Sequence, residues 1–397
     1  MKKDNRFLKG ALVGALVMLC VIILGGGLWK LAWSAGLAPA FTQKAKVERK
    51  LNLLDTIVDR YYLYEEDVEE EDLIEGLYAG YLAALEDPYT DYFTEEETKE
   101  LFESVTGEFF GVGALLSRDM NTGAITITQV YEDSPAERAG LLAEDILLQV
   151  DGHVIADESL DEIVAWIKGD QGTEVTLHVL RGEEELALTA VRDVVQVVTV
   201  DYAMKDGQIG YIYIQQFDDV TEEQFRNALS VLEGQGMKGL VIDIRSNPGG
   251  NLDTVVAMLQ MLLPKGDILS VRNRDGEQQK YTCDGTNAFD KPLAVLVNQY
   301  SASASEIFSG AIQDYGIGEI VGMTTYGKGV VQDVLDLGDG TSMKLTTAEY
   351  FLPSGRSIDQ EGITPDVEVE IENHEENPEY DNQLERALEV VRERIIS

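Results

Sequence analysis

The sequence predicts a multidomain chain of mixed class, α+β in one part and α/β in another, behind an N-terminal membrane helix. Three observations carry this. The chain has 397 residues, more than the about 100–200 of one domain. Its hydrophobic periodicity changes twice: helical spacing first, then short alternating strands, then buried strands alternating with helices. Finally, residues 11–28 form an unbroken apolar run of 18 behind a basic head.

Composition excludes several function classes. Apolar residues make up 44% of the chain, enough for real cores. The formal charge is −41, and the basic first 30 residues leave an even more acidic remainder. Such a body is a poor nucleic-acid ligand, because neutralising phosphates needs a basic face. Solubility is the plain reading of the acid, and adhesion to a basic partner the sharper one. Cys20 and Cys283 lie far apart, which rules out a disulfide framework, a cysteine zinc site and an iron–sulfur cluster. The histidines are His153 in an Asp-Gly-His turn, His178 in a strand-like stretch and His374 among glutamates. None has the setting of a catalytic base, so an active site here works without histidine.

The N-terminal element comes first. Lys2, Lys3, Arg6 and Lys9 precede the apolar run, and Trp29 and Trp33 follow it as interfacial aromatics. Eighteen residues is the lower edge of a membrane span and longer than a usual signal-peptide core. The only small-residue cleavage pattern, Ala38-Pro39-Ala40, contains a proline, and Leu19 before Cys20 argues against a lipoprotein site. A retained signal anchor is the reading, with a cleaved signal peptide as the alternative. The basic head favours an N-terminus inside and a body outside, against which stand Lys44, Lys46, Arg49 and Lys50 on the far side of the run.

From residue 45 to about 101, Leu51, Leu54, Ile57, Val58 and Tyr61, then Leu73, Leu77, Tyr81 and Leu85, recur at helical spacing. The turn Asp87-Pro88-Tyr89 interrupts this helical module, in which nothing suggests chemistry. From about 106 to 192 the strands 123–128, Ile146–Val150 and 175–179 alternate with short helices at 134–139 and Leu160–Ile167. This stretch resembles a PDZ domain. The resemblance rests on Phe110-Gly111-Val112-Gly113, Ser134-Pro135-Ala136-Glu137-Arg138-Ala139-Gly140-Leu141 and Asp145-Ile146-Leu147-Leu148-Gln149-Val150-Asp151-Gly152, with Glu144 where glycine is usual. It implies that the backbone of Gly111, Val112 and Gly113 receives a peptide's terminal carboxylate while the peptide adds a strand to the sheet.

From 197 to 369 the pattern is α/β: strands at Ile209–Ile214, 239–244 and Leu293–Val297, helices at 222–234, 252–263 and 306–315, and a last helix at 382–395 beyond an acidic link. Three spots there could carry chemistry. Arg245-Ser246-Asn247-Pro248-Gly249-Gly250-Asn251 lies between a strand and a helix, where backbone N–H groups can meet an anion; a plain turn explains it equally well. Ser301-Ala302-Ser303-Ala304-Ser305-Glu306 occupies a similar turn, suited to a nucleophile. Ser303 with Glu306 also fits a capping box, the stronger reading from the segment alone. Gly322 to Gly329 almost spells a phosphate-binding loop, but Gly329 replaces the hydroxyl residue and a strand pattern follows where a helix is required. What remains is Lys328 between two glycines, for which a surface loop lysine is the plain reading. Together the three fit a Ser-Lys hydrolase, in which lysine replaces histidine as base. A lysine neutral near pH 7–8 costs about 3.5–4 kcal/mol, which burial must impose.

At this point the chain resembles the carboxyl-terminal processing peptidases, also called tail-specific proteases. The matches are the signal anchor, the embedded PDZ domain, Arg-x-Asn-Pro-Gly-Gly, Ser-Ala-Ser-Ala-Ser-Glu-Ile-Phe and Gly-Lys-Gly-x-x-Gln. The resemblance implies Ser303 as nucleophile, Lys328 as base 25 positions later and Gln332 as the residue orienting it. It implies oxyanion donors at the N–H groups of Gly249 (with Gly250 as the neighbouring alternative) and Ala304, and a structural place for Asp314. It also implies a crotonase-like core, no cofactor and no metal. Lys168 stands where relatives often carry arginine; a surface lysine is the plainer reading. The expected organisation is head and anchor 1–36, helical module 45–103, PDZ domain 104–193, peptidase core 194–370, and link with helix 371–397. The expected function is a membrane-anchored serine endopeptidase, its body extracytoplasmic, cutting proteins with free C-termini, with a homodimer suggested by relatives. The alternative is an extracytoplasmic PDZ scaffold with an inactive core.

Overall fold

The computed structural model describes residues 37–156, 158–372 and 380–396. The apolar run 11–28 and His374 lie outside them. Among the described residues no helix is long and apolar enough to cross a membrane. The chain divides into two units, Met1–Tyr78 and Ala79–Ser397. In the first, the helix Leu37–Tyr61 is followed by a short 3₁₀ turn, Glu65–Asp67, and the start of the helix Glu70–Ala83. Leu53, Leu54, Ile57, Leu73, Ile74 and Leu77 are exposed on these helices.

The second unit contains the alternating strands and the α/β part. The helix Glu95–Thr106 starts in a reciprocal Thr94–Glu97 capping box and ends on Gly107 in the left-handed conformation. An antiparallel sheet follows, in the order Ala114–Arg118, Ile125–Val130, Ile146–Val150, Glu174–Arg181, Glu184–Val191, with His153–Val154 paired to Ile146–Val150. The helix Leu160–Ile167 begins on a second capping box, Ser159 with Glu162, and buries Ile163 and Ile167. Glu144 has φ +74°. That left-handed backbone explains why glycine is the usual residue there. His153 is exposed and packs its ring 5.0 Å from that of Trp166, as a surface residue.

The α/β part is built on a six-stranded sheet in the order Val200–Lys205, Ile209–Ile214, Gly239–Asp243, Leu293–Val297, Glu319–Gly322, Val367–Glu368. The first pair is antiparallel and the rest are parallel. Gly239–Asp243 and Leu293–Val297 are buried at every residue, as central parallel strands covered on both faces must be. Helices Thr221–Gly234, Leu252–Gln260 and Ala304–Tyr315 form the core on one face, where Phe308 packs against Phe217 and Phe225. On the other face Ala387, Leu388, Val390 and Val391 of the helix Asn382–Ile396 cover Val241, Ala294 and Leu296. A second, antiparallel sheet joins Asp91–Phe93, Ser342–Phe351, Gly266–Asn273 and Gln278–Cys283, with Val330–Asp336 also paired to Ser342–Phe351.

Candidate active site

Sheet topology explains why three motifs remote in sequence meet. Strands Gly239–Asp243, Leu293–Val297 and Glu319–Gly322 are parallel neighbours. The loops leaving their C-terminal ends are the Asn-Pro-Gly-Gly turn, the serine turn and the lysine loop. Ligands in open α/β sheets gather at this edge.

Asn247 joins the first two loops. It is fully buried; its Nδ2 donates to Ile214 O at 2.9 Å and its own carbonyl accepts Ala302 N–H at 3.1 Å and the Ser305 hydroxyl at 2.9 Å. Gly249 then passes so close that an added Cβ would stand 2.8 Å from Ala302 O and 2.9 Å from Ala304 N. Only glycine fits that approach, and its φ of +107° gives a second reason.

The three serines separate by their bonds. Ser301 is buried and donates to Ile244 O at 2.8 Å, while Ser305 is buried and committed to Asn247 O. Ser303 is half-buried and sits at φ +55°, ψ −114°, a strained conformation for a residue with a side chain. The predicted pairing with Glu306 exists on the backbone: the carboxylate accepts Ser303 N–H at 2.9 Å, and Glu306 N–H reaches the Ser303 carbonyl at 2.8 Å.

Glu306 does more than cap a helix. Fully buried, it accepts the Thr325 hydroxyl at 2.5 Å and Gly327 N–H at 2.7 Å on Oε1. On Oε2 it accepts Lys328 N–H at 2.9 Å beside that of Ser303. One carboxylate thus holds the serine turn and the lysine loop together. Burial pushes its pKa above the usual range, but two donors on each oxygen favour the carboxylate form. The buried Tyr350 supports the same loop, its hydroxyl donating to Lys328 O at 2.8 Å.

Lys328 is half-buried. Burial, and then repulsion by Lys344, hold its ammonium below the ordinary lysine range; Asp87 and Glu306 act against this. Its Nζ stands 4.6 Å from the Tyr89 ring centroid and makes no hydrogen bond to the Ser303 hydroxyl. Gln332 lies on the strand Val330–Asp336 with its amide 3.3 Å from Thr346 Oγ1, not on Lys328. The Gly249 N–H is held by Asn247 Oδ1 at 2.8 Å, so it must exchange that partner to serve an oxyanion. Ala304 N–H opens the serine helix and has no partner within it. Asp314 accepts Ser354 N–H at 2.9 Å and pairs with Arg356 at 3.0 Å, a structural place. Among the described residues no group of three or more His, Cys, Asp or Glu side chains is arranged to hold a metal ion.

Sequence reasoning missed two residues beside Lys328. Asp87 and Tyr89 belong to the turn in which nothing suggested chemistry. Composition and spacing gave no signal for them, because they reach the lysine only through folding.

A groove-like cavity of about 460 Å³ lies between the strand Ala114–Arg118 and the helix Leu160–Ile167, and Gly111, Val112 and Gly113 are among the residues that line it. That strand is the edge of its sheet, so it can pair with an added strand. Lys168 borders the groove, bonded to Glu103 at 2.6 Å and near the Phe109 ring, 5.6 Å from its centroid.

A family model of peptidase family S41 matches residues 208–369, and one of the PDZ domain matches residues 126–181. A protein of Staphylococcus saprophyticus named "Probable CtpA-like serine protease" is 35% identical over 85% of this chain and 68% of its own length. A namesake from Staphylococcus aureus is 34% identical over 90% of this chain and 71% of its own. One from Staphylococcus epidermidis is 34% identical over 82% of this chain, which spans 66% of that relative's length. Among solved structures, the photosystem II D1 C-terminal processing protease is 29% identical, covering 83% of this chain and 89% of its own, with a TM-score of 0.47. The identity to relatives, and a family match running across the strands that present Ser303 and Lys328, establish that the chain belongs to peptidase family S41 and carries a PDZ domain.

Proposed function

We propose that the protein is a serine endopeptidase that selects protein C-terminal tails through its PDZ domain and cuts them with Ser303 and Lys328. The observation that carries this reading is the Glu306 carboxylate, which accepts N–H groups from both Ser303 and Lys328 on one oxygen. Ser303 is also the serine of its run whose hydroxyl is not committed to a neighbouring backbone carbonyl. In the proposed mechanism Ser303 Oγ attacks the scissile carbonyl as Lys328 takes its proton. The lysine returns a proton to the leaving amine, and a water then releases the acyl group. Ala304 N–H, joined by Gly249 N–H once it leaves Asn247, stabilises the oxyanion. Gln332 orients the lysine after exchanging Thr346. A tail enters along the strand Ala114–Arg118 with its carboxylate on the backbone of Gly111, Val112 and Gly113. The apolar run behind a basic head supports single-pass membrane anchoring with the body on the extracytoplasmic side. The exposed apolar residues on the helices before residue 78 support a homodimer.

An activity-based fluorophosphonate probe tests the core of the reading. It should label Ser303 in the wild-type protein and fail in Ser303→Ala. It should also fail in Lys328→Arg, because arginine keeps the charge but cannot act as base. Robust labelling of Lys328→Arg, or labelling of another serine, would refute it.

A further inference from the structure

With Lys328 as base, its ammonium lies over the Tyr89 ring, 4.6 Å from the centroid, and makes no hydrogen bond to Ser303. An aromatic face attracts an ammonium and has little attraction for a neutral amine. Tyr89 therefore holds only the protonated lysine. The phenol itself is pushed up to about 12 by burial and by Tyr326, so at neutral pH the lysine meets a ring face rather than a phenolate. The turn carrying the ring is well anchored. Asp87 accepts Tyr89 N–H at 3.1 Å and the Thr90 hydroxyl at 2.6 Å, and Thr90 Oγ1 accepts Thr346 N–H at 3.2 Å. Thr346 lies on the strand paired with the one that follows Lys328.

The geometry points to Tyr89 as a positioning residue for Lys328: its ring keeps the charged lysine off the Ser303 hydroxyl, and loss of the proton releases the side chain to act. This rests on the general-base reading above. Storage of the charged form competes with action of the neutral form. The ring therefore raises the pH at which activity appears and leaves the rate of the neutral form unchanged. The other groups that act on Nζ are Lys344 from the strand Ser342–Phe351, Asp87 from the turn and Glu306 from the serine helix. Tyr326 and Asp359 act on Tyr89 itself. All of them are retained when position 89 is substituted.

The test compares wild type, Tyr89→Phe and Tyr89→Leu in two measurements. The first is kcat/KM against pH with a tail peptide. The second, in a Ser303→Ala background, is the pH dependence of Lys328 acetylation by acetic anhydride, read by mass spectrometry. Tyr89→Leu should move both midpoints down by about half to one pH unit, with activity on the acid limb up about threefold to tenfold. Its alkaline plateau should stay near wild type, and Tyr89→Phe should superimpose on wild type throughout. An unchanged acetylation midpoint in Tyr89→Leu would overturn the inference, as would Tyr89→Phe shifting as far as Tyr89→Leu. If acetylation shifts while the activity profile stays fixed, Tyr89 still holds Lys328 and it is the general-base reading that falls.

Discussion

Glu306→Gln keeps the size of the side chain and replaces one acceptor by a donor. Each carboxylate oxygen receives two donors, so the new NH2 group must displace two hydrogen bonds. The cheaper side is Oε1, where the Thr325 hydroxyl can turn to accept it. Gly327 N–H is then left buried without a partner, at about 1–3 kcal/mol. The bonds from Ser303 and Lys328 survive but lose charge assistance, about 1 kcal/mol each. The expected destabilisation is therefore about 3–5 kcal/mol, measured by urea unfolding of the full-length protein. The lysine loop loosens with it, and kcat/KM on a fluorogenic tail peptide should fall by about 100-fold or more. The remaining activity carries a second signature. The Glu306 charge helps hold the Lys328 ammonium in its protonated form. Without that charge the lysine loses its proton at lower pH, and the acid limb of the residual rate moves down. A loss of stability under 1 kcal/mol together with near wild-type turnover would refute the clamp.

Ser303→Ala should abolish hydrolysis with little change in the unfolding midpoint. Ser301→Ala and Ser305→Ala should each cost about 1–2 kcal/mol, because Ile244 O and Asn247 O lose buried donors, while retaining activity; a dead Ser305→Ala beside an active Ser303→Ala would reverse the nucleophile assignment. For tail reading, one peptide offered with a free carboxylate, an amidated end or an Asp-Asp end should be cut fastest in the first form: amidation removes the carboxylate that the backbone of Gly111, Val112 and Gly113 would receive, and the acidic body repels the Asp-Asp end within the screening length. Equal rates for all three would leave the PDZ domain another task.

Much of the fold could be read where apolar residues are continuous or regularly spaced. Ile209–Ile214 and Leu293–Val297 form strands over the predicted residues, and Leu160–Ile167 is the predicted helix. The strands Gly266–Asn273, Gln278–Cys283 and Ser342–Phe351 went unread. They mix lysines, glutamines and threonines with scattered apolar residues, and their stability comes from pairing across the sheet. The site divides in the same way. Their small-residue and glycine surroundings made Ser303 and Lys328 candidates, and only the family resemblance gave them the roles of nucleophile and base. At Glu306 the sequence offered helix cap and active-site turn as rival readings, whereas a single carboxylate serves the cap and also holds the lysine loop. Asp87 and Tyr89 reach Lys328 only because the strand Asp91–Phe93 pairs with Ser342–Phe351, and no local pattern announces such a pairing.

The helix Asn382–Ile396 also bears on when the protein can first become active. Arg245, at the root of the Asn-Pro-Gly-Gly turn, is held by Asp243 and by Asp381, each at 2.6 Å. Val391 packs so closely under Gly239 that an added Cβ would stand 2.4 Å from it. During synthesis the loops carrying Ser303 and Lys328 leave the ribosome before the helix that supports their strands. Long-range contacts of this kind close late in folding. A nascent chain therefore carries Ser303 and Lys328 on an unsupported sheet until residues 381–391 have emerged and docked. The order of synthesis thus delays the seating of the turn and the loop that present Ser303 and Lys328.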